Sequence, residues 1–555
     1  MAAKSMSLKI NVGLAIDVDI QERLLLKDIE QELKRVKPPP RSSFDPNPKY
    51  CCMPGTRVDL IETLISFAVS EDTSQRLFFL YGIAGCGKSS VATSVANSLY
   101  TRGCLSGSFF FKRDKEPRTP IDFLHTMAYS IALRHEPYRK ALIDVLKENT
   151  RIEDEAPSLQ FNGLFQIPLN AILAISSTAT PSNQAIVAIV IDALDECDDP
   201  QSVSSYLMEI VSLAPWLRVI VTSRPLDDIE PDLRRAEYAT PLNLFTVDAS
   251  EDILQLTLSY FAPNGPLHRL RSQVTEEEIQ ALATKSHGLF IWIKTVLLYI
   301  AGLAWGDAKL KELRSILSSS SAASPEKEVD ELYLRVLRNV AGDSPAYLDA
   351  VKNVVGFVCV TSRNRSLPCK GLHAFIPTTD PDVRVSPEDI DDLRRKLAAV
   401  ITIDPETDAL HVCHPSFFDF VETQARSREF WTNPVVLDTV MAQRCSDLMN
   451  AGLRFNICGL ESSLLLNDDI LDLKQRIPQE LQYSAVYWLD HLSRSSRSHD
   501  DEKVKDAYEL LYHVRLFYWL EVLSVVGEIN AAIKMLRKLV AMSKVGIILK
   551  ELDHC

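Results

Sequence analysis

The sequence contains few cysteines and lacks the paired cysteines that disulfide-rich domains and zinc sites use. Its 11 cysteines are scattered over 555 residues, are odd in number and include no C-x-x-C pair. This pattern argues against a disulfide framework and against a structural zinc site. We therefore expect the protein to reside in a reducing compartment, the cytoplasm.

Positive charge is also in short supply. The chain has 60 Lys and Arg against 74 Asp and Glu, a formal net charge of -14. Bulk attraction to nucleic acid or to an anionic membrane surface is therefore not expected. A local basic cluster of Lys34, Arg35, Lys37 and Arg41 fits a solvated helix end better than a binding patch.

Long hydrophobic runs are absent, apart from one borderline stretch. The N-terminal apolar segment is soon interrupted by Asp17 and Asp19, which argues against a secretory signal. Residues 288–305 reach the lower length limit for a membrane span but carry Lys294 near the middle, so a buried helix is predicted instead. No transmembrane segment is expected.

Glycine is scarce as well, with 19 in the whole chain, and three of these fall within six residues. The stretch FFLYGIAGCGKSS, residues 78–90, matches G-x-x-x-x-G-K-[ST] between an apolar strand pattern and an amphipathic helix pattern. Backbone N–H groups of such a loop, with the N-terminus of the next helix, bind phosphate oxygens. The predicted nucleotide-binding residues are Gly82, Ile83, Ala84, Gly85, Cys86, Gly87, Lys88, Ser89 and Ser90.

Two residues of this loop have specific predicted roles, and a third group completes a metal site. Lys88 is expected to reach the β- and γ-phosphates, and the Ser89 hydroxyl to bind Mg²⁺. Asp192 ends the apolar run IVID, so its carboxylate should emerge at the carboxyl edge of a parallel sheet, where ligands bind. The expected cofactors are ATP or ADP with Mg²⁺, and GTP remains an alternative.

Three further residues are candidates for a role in catalysis. Asp195 and Glu196 follow Asp192 closely, and one of them is a candidate to orient or deprotonate an attacking water. A solvated loop is the alternative for both. Arg224 ends another apolar strand, so it is predicted to face the phosphates, with a plain surface arginine as the alternative.

The order of apolar runs and helix patterns predicts the fold class. Strands are expected at 77–81 and 105–111 and in the apolar runs 185–196 and 217–225, with helices between them that begin at Lys88, Thr119-Pro120 and Asp199-Pro200. This alternation is typical of an α/β fold, here a three-layer P-loop NTPase core with a parallel sheet.

The rest of the chain is mainly helical. A helix is predicted over 19–37, packed on its own domain or, alternatively, binding a partner, and a flexible break over 317–328. Short strands within LAAVITID and ALHVCH suggest a small α+β module. The predicted domains are an N-terminal helix and linker (1–50), the core (51–245), a helical lid (246–330), a winged helix (331–425) and a C-terminal helical domain (426–555).

The motifs resemble those of a known family. FLYGIAGCGKSS, IVIDALDECDD and RVIVTSRP are similar to the NACHT branch of the STAND class of P-loop NTPases, and the acidic cluster resembles the extended Walker B motif of that branch. Segments similar to the large fungal NACHT family cover roughly residues 50–530, and they are CMPGTR, KSHGLFIWIKTV, DELYLRVL, HVCHPSFFDFV, YWLDHL and YWLEVLSVVGE.

The resemblance implies two further contacts with the nucleotide. His414 of HPSF matches the winged-helix histidine that contacts the bound diphosphate, although a histidine packed in the core is the ordinary interpretation. The segment Gly288-Leu289-Phe290 lies where relatives carry a Gly-x-Pro adenine contact, and Phe290 replaces that proline. This departure leaves the base preference open.

Two functions of different classes follow from these features. The first is a switch: ADP holds a closed monomer, exchange for ATP opens it to oligomerise, and slow ATP hydrolysis resets it, as the resemblance to proteins of fungal self/non-self recognition and programmed cell death implies. Protein partners are then expected at the terminal regions. The second is a constitutively active ATPase such as a nucleic-acid-handling motor, against which the acidic charge and the lack of a basic, aromatic tract argue.

Overall fold

A computed structural model describes most of the chain in two compact units. The described residues are 31–37, 50–112, 119–176, 186–226, 230–304, 307–319, 324–377, 385–404, 407–461, 466–467, 470, 472–495 and 514–542. The first unit comprises Met1–Ser259 with His287–Phe290, and the second comprises Tyr260–Ser286 with Ile291–Cys555. The first unit is an α/β body, and the second is mainly helical.

The first unit is built on a parallel sheet of five strands. These are β1 (Leu77–Tyr81), β2 (Leu105–Phe110), β3 (Val187–Asp192), β4 (Leu217–Ser223) and β5 (Ala239–Asn243), in the spatial order β2-β3-β4-β1-β5. Every residue of β1, β3 and β4 is buried, so both faces of the sheet centre are covered. The predicted α/β class with a parallel sheet is confirmed.

Helices alternate with these strands. They are α1 (Val58–Ala68), α2 (Lys88–Thr101), α3 (Pro120–Arg134), α4 (Glu136–Glu148), α5 (Pro157–Phe161), α6 (Ile167–Ser176), α7 (Pro200–Leu213), α8 (Glu230–Arg235) and α9 (Ser250–Phe261). The predicted helix starts at Thr119 and Asp199 are both N-caps: each side chain accepts a hydrogen bond from a backbone N–H of the first turn, ahead of a proline whose missing N–H costs nothing there.

Two elements of the first unit differ from the sequence prediction or complete it. The strand β5 was not predicted, because ATPLN contains a proline and lies half-exposed at the sheet edge without an apolar run. Of the predicted helix over 19–37, residues 19–30 lie outside the described part, while Leu33 and Val36 are buried in the core of this unit. These two side chains therefore pack on their own domain, which was the first of the two interpretations.

The second unit is dominated by helices. They are α10 (Glu276–Lys285), α11 (Phe290–Gly302), α12 (Asp307–Ser318), α13 (Pro325–Ala341), α14 (Pro345–Ser362), α15 (Cys369–His373), α16 (Pro387–Lys396), α17 (Pro415–Glu422), α18 (Gln424–Ser427), α19 (Pro434–Gly452), α20 (Gln479–Arg494), α21 (Val514–Val526) and α22 (Ile529–Met542). Five of them begin with proline, the first-turn position that proline favours. The predicted break over 317–328 is shorter than expected, since α12 extends to Ser318 and α13 already begins at Pro325.

A small antiparallel sheet interrupts the helices, as predicted. The strands β6 (Ile401–Ile403) and β7 (Leu410–Val412) pair with Thr402 opposite His411. They follow α14, a single bridge between Pro368 and Ala409, and the helices α15 and α16. Within the apolar stretch 288–305, residues Phe290–Gly302 form the largely buried helix α11, and none of the helices in the described ranges combines the length and apolarity that a membrane span requires.

Candidate functional site

The loop between β1 and α2 has the conformation that a phosphate cradle needs. Gly87 precedes the helix with a φ of 101°, in the left-handed region that favours glycine, and a side chain there would also meet the ring of Phe290 at 3.6 Å. A side chain at Gly82 would lie 3.0 Å from Cys86 Sγ and 3.4 Å from Phe245 N. Glycine is therefore favoured at Gly87 by the positive φ and at Gly82 by the close approach of Cys86. Cys86 itself is fully buried, and burial raises the pKa of its thiol.

Lys88 lies folded over this loop. Its Nζ donates hydrogen bonds to the carbonyl oxygens of Gly82, at 2.6 Å, and Ile83, at 3.0 Å. Both acceptors are neutral, so a phosphate oxygen presented to the loop would offer the ammonium group a stronger, charged acceptor. Of the other loop residues, Ile83, Ala84 and Gly85 form the turn itself, while Ser89 and Ser90 occupy the first turn of α2.

The carboxylate of Asp192 lies near the Ser89 hydroxyl, which acts to lower the pKa of that carboxyl. The strand order explains this meeting, because β4 separates β1 from β3 and all three strands end at the same edge of the sheet. Burial raises the pKa of Asp192, and the hydrogen bonds from Thr222 and Ser89 act in the opposite direction. A divalent cation at this point would favour the charged carboxylate.

Thr222 is a member of the site that the sequence did not single out. Its hydroxyl donates to Asp192 Oδ1 at 2.5 Å and accepts from the backbone N–H of Ala193 at 3.0 Å. Ala193 has a φ of 58°, the left-handed conformation, directly after the strand. Thr222 thus holds both the carboxylate and the strained turn that follows it. The sequence signal for Thr222 was the segment VTSRP, in which a hydroxyl side chain lies near the end of β4. This strand lies between β1 and β3, the strands that precede the glycine loop and end at Asp192.

The oxygen atoms of Asp192 and Ser89 suit Mg²⁺ rather than a transition metal. Magnesium prefers hard oxygen ligands, keeps several waters, and is commonly held by one or two protein groups together with substrate phosphates. Across the described ranges no cluster of three or more His, Cys, Asp or Glu side chains is placed to hold a metal ion. The pair therefore fits a metal ion that arrives with a nucleotide.

Asp195 and Arg224, two predicted catalytic candidates, bind each other. Arg224 Nε lies 3.1 Å from Asp195 Oδ2, and the Arg224 backbone N–H donates to Asp195 Oδ1 at 2.9 Å. The Asp195 side chain is 7% exposed, so the solvated-loop alternative does not apply to it. Glu196 ends the short 3-10 turn Leu194–Glu196 and is half-buried. The structure thus pairs Asp195 with Arg224.

A buried arginine next to the loop was missed by the sequence analysis. The side chain of Arg57 is 4% exposed, and its guanidinium lies 5.4 Å from the ring centroid of Phe290, the residue that adjoins Gly87. It is held by the carbonyl oxygens of Val247 and Asp248 and by the carboxylate of Asp252, 3.5 Å away. A positive charge and an aromatic ring therefore adjoin the turn that begins α2, an arrangement of distant residues without a local sequence signal.

His414, the remaining predicted site residue, lies in the second unit, whereas the phosphate loop, Asp192 and Arg224 lie in the first. It is the N-cap of α17, where its Nδ1 accepts from the backbone N–H of Ser416 at 3.1 Å. The ring is half-buried, so the ordinary interpretation of a histidine packed in the core describes only part of its surface.

Comparisons with known proteins bear on this site. The family model for the N-terminal part of nephrocystin 3 matches residues 60–224, the range that contains the phosphate loop, Asp192 and Arg224. The vegetative incompatibility protein HET-E-1 of Podospora anserina is 24% identical over 502 residues, which cover 84% of this chain and 35% of that protein. The chain thus spans about a third of the length of this curated relative. Both findings support the resemblance to fungal NACHT-type proteins.

Two solved structures show a distant similarity to parts of this chain. A DNA replication initiation factor gives a TM-score of 0.23 at 13% identity, covering 55% of this chain and 87% of that one. AMPPCP-bound DnaA from Aquifex aeolicus gives a TM-score of 0.22 at 12% identity, covering 69% and 98%. Scores this low carry no functional argument, and the interpretation of the site depends on the geometry of its own residues.

Proposed function

We propose that this NACHT-type protein is a nucleotide-dependent switch that binds ATP or ADP with Mg²⁺. One observation carries the proposal: Lys88 and Ser89, from the loop after β1, and Asp192, from the end of β3, lie close together at the carboxyl edge of one parallel sheet, beside a loop in which Gly85 and Gly87 have positive φ. Lys88 and the loop amides would bind the phosphates of a nucleotide, and Ser89 and Asp192 would hold its Mg²⁺ ion. When bound, Mg²⁺ neutralises phosphate charge.

The switch works through a contact that one nucleotide state makes and the other does not. By resemblance, His414 contacts the diphosphate in a closed, ADP-bound state, and exchange for ATP opens the protein. A hydrogen bond to a charged group contributes about 1.5–3 kcal/mol, which shifts a closed-to-open ratio by roughly ten- to more than a hundredfold. That range is sufficient for a signalling switch.

The segment that carries His414 supports this assignment. The order of α14, the single bridge at Pro368, α15, α16 and the β6–β7 hairpin resembles that of a winged helix and supports the domain predicted over 331–425. We assign the winged helix to this segment, with the helical lid before it and the helical domain after it. Opening then allows self-association in the ATP-bound state, in the cytoplasm, with protein partners at the terminal regions.

Hydrolysis serves as the slow reset in this scheme. Because Asp195 is occupied by Arg224, we assign the orientation of the attacking water to Glu196 and the reading of the γ-phosphate to Arg224. Glu196→Gln is expected to bind ATP normally and to retain it, whereas Asp195→Asn releases Arg224 and weakens ATP more than ADP. Equal turnover in Glu196→Gln and the unaltered protein, in a single-turnover assay, would remove Glu196 from this role.

The name of the curated relative suggests the biological setting. HET-E-1 is a vegetative incompatibility protein, so we propose fungal self/non-self recognition leading to programmed cell death as the process that this switch controls. In this scheme the triggering signal acts through the terminal regions and not through the nucleotide site.

The decisive experiment is to denature the purified protein and identify the released nucleotide by chromatography. A switch is expected to release about one ADP per chain and to hydrolyse ATP slowly, and Lys88→Ala to release none. Lys140→Ala, which changes an exposed lysine of the same unit, serves as the matched control. Rapid turnover without bound ADP would instead support a working ATPase, and the absence of any nucleotide binding would refute the proposal.

A further inference from the structure

A cavity of the first unit lies along one face of α7, and none of its lining residues belongs to the nucleotide site. Its volume is about 610 Å³, within the range of about 300–1,000 Å³ that ligand sites usually have. The α7 residues that line it share one helical face, and they are Gln201, Ser204, Ser205, Met208, Glu209 and Ser212. Asp232 of α8 and Tyr238, which precedes β5, also line the cavity.

The spacing of these residues makes the cavity an elongated groove. The lining positions recur every three or four residues from Gln201 to Ser212, so they follow α7 for about 16 Å at about 1.5 Å per residue. An extended peptide advances about 3.3 Å per residue, so about five residues span this length. Because serine, a small side chain, occupies three of the six α7 positions, a second chain can approach the helix closely.

Two carboxylates give the groove a negative charge. Glu209 accepts a hydrogen bond at 2.5 Å from the side-chain amide of Gln166, which is uncharged, and Asp232 is exposed on α8. Neither carboxylate forms an ion pair with the residues that the structure describes, and the lining residues include no Lys, Arg or His. A basic ligand in the groove would therefore meet two carboxylates of complementary charge.

The neighbouring Arg76 shows that this end of α7 already binds a cation of the fold itself. Its Nη1 donates to the carbonyl oxygens of Val211, at 3.3 Å, and Ser212, at 3.0 Å, in the last turn of α7. Its guanidinium lies 6.0 Å from the ring centroid of Tyr238. Cations are stabilised at the C-terminus of a helix. Because Arg76 occupies these two carbonyl groups, a further cation would depend on the two carboxylates of the groove.

A buried hydroxyl group in the groove lacks a partner. Ser204 is 3% exposed, and its hydroxyl forms no hydrogen bond with any residue of the described ranges. A buried polar group without a partner costs free energy, which a ligand that bonds to it would recover. Hydroxyl and amide side chains, here those of the serines and Gln201, both donate and accept. This lining suits a peptide backbone, which also does both, better than an aliphatic polyamine, whose ammonium groups only donate.

We propose that this groove binds a short basic segment of a partner protein in extended conformation. Lys or Arg side chains of the segment pair with Glu209 and Asp232, and its backbone forms hydrogen bonds with the serine hydroxyls of α7. The proposal goes beyond the nucleotide switch, because it adds a docking site for a protein on the core of the first unit. It does not depend on nucleotide binding, since the groove and the phosphate loop share no residue.

Calorimetry with the full chain tests the class of ligand. The probe is an acetylated and amidated peptide of the sequence Lys-Ser-Lys-Ser-Lys, which carries the same charge as spermidine. We expect this lysine peptide to bind about tenfold or more tightly than spermidine, and the corresponding glutamate peptide not to bind. Equal or tighter binding of spermidine would overturn the assignment to a peptide. Absence of lysine-peptide binding at millimolar concentration would refute the proposal.

Substitutions in the groove locate the binding site of the peptide. Glu209→Gln combined with Asp232→Asn should weaken the lysine peptide about tenfold or more, and Ser204→Ala about three- to tenfold, since one hydrogen bond is lost. The matched control combines Glu71→Gln with Asp144→Asn, which removes the same charge from two exposed carboxylates of the same unit and should leave the affinity unaltered. Equal losses in both double variants would indicate attraction to an acidic chain in general and would overturn the inference.

Two further variants separate the groove from the nucleotide site. Ser205→Leu adds bulk at an exposed lining position, so it should abolish peptide binding and leave the released nucleotide and the thermal unfolding unaltered. Lys88→Ala should lose the nucleotide and bind the lysine peptide like the unaltered protein. Loss of peptide binding in Lys88→Ala, or its retention in Ser205→Leu, would place the peptide outside the groove and refute the proposal.

Discussion

The two units each bury an aspartate, and the two carboxylates are satisfied in different ways. Asp438, in the second unit, is 1% exposed and is surrounded by cationic or ionisable partners: His491 Nδ1 at 2.6 Å, Arg363 Nη1 at 3.5 Å and Arg494 Nε at 3.6 Å. Asp192, in the first unit, is 4% exposed and accepts from the hydroxyls of Thr222 and Ser89. In the described structure Asp192 forms no ion pair.

The difference indicates what each carboxylate is for. A buried charge is tolerated when it is paired, and Asp438 belongs to a network in which His491 also meets the Tyr483 hydroxyl at 2.8 Å and Arg363 also binds Glu422. Its role is complete within the folded chain. Asp192 has neutral hydrogen-bond partners at a sheet edge next to the glycine loop, as its proposed function as a cation ligand requires.

The largest expected effect tests how much the Asp438 network contributes to the stability of the fold. Asp438→Ala leaves His491, Arg363 and Arg494 without their shared partner, and we expect a loss of about 3–5 kcal/mol in the free energy of unfolding. Urea denaturation measures the loss, and hydrogen exchange in α19 and α20 should localise it. A change below about 1 kcal/mol would show that the network adds little to stability.

The next effect concerns the ligand and not the fold. Lys88→Ala removes the ammonium group from the phosphate loop, so ATP should bind about ten- to a hundredfold more weakly, which corresponds to about 1.5–3 kcal/mol. Calorimetry with Lys140→Ala as control measures this, and thermal unfolding without nucleotide should be similar for both variants. Unaltered ATP affinity in Lys88→Ala would contradict the assignment of the loop.

Asp192→Asn should separate binding from stability. Without a carboxylate the increase of nucleotide affinity by Mg²⁺ should fall about tenfold, yet the variant without nucleotide should be more stable at neutral pH. The raised pKa of Asp192 means that the folded state disfavours the charged carboxylate. This destabilisation of the folded state is absent below the ordinary pKa of 3.8 and grows as pH rises through the raised pKa. Equal free energies of unfolding for Asp192→Asn and the unaltered protein at all pH values would contradict the proposal that the charge of Asp192 lacks a compensating partner.

The smallest expected effect concerns Thr222, the neutral hydrogen-bond partner of Asp192. Thr222→Val keeps the shape of the side chain but removes the hydroxyl between Asp192 and the Ala193 N–H, so Mg²⁺–nucleotide affinity should fall about fivefold, close to 1 kcal/mol. Thr222→Ser retains the hydroxyl and should behave like the unaltered protein. If valine and serine act alike in the calorimetric titration, Thr222 does not position Asp192.

The sequence predicted the elements whose signals are local. The buried strands β1, β3 and β4 are continuous apolar runs, the phosphate loop is a contiguous motif, and the N-caps at Thr119 and Asp199 directly precede prolines. The strand β5 was missed because an edge strand with one exposed face needs no apolar run. Arg57 was missed because its partners lie about two hundred positions away along the chain.

By itself the sequence determined the class of the core, the phosphate loop and the carboxylate that faces it, because parallel strands and a glycine turn impose their requirements on neighbouring residues. Only the tertiary structure decided that Asp195 binds Arg224 and that Thr222 holds Asp192. Each of these is a directional contact between groups brought together by strand order or helix packing, and its geometry has no counterpart in the spacing of residues along the chain.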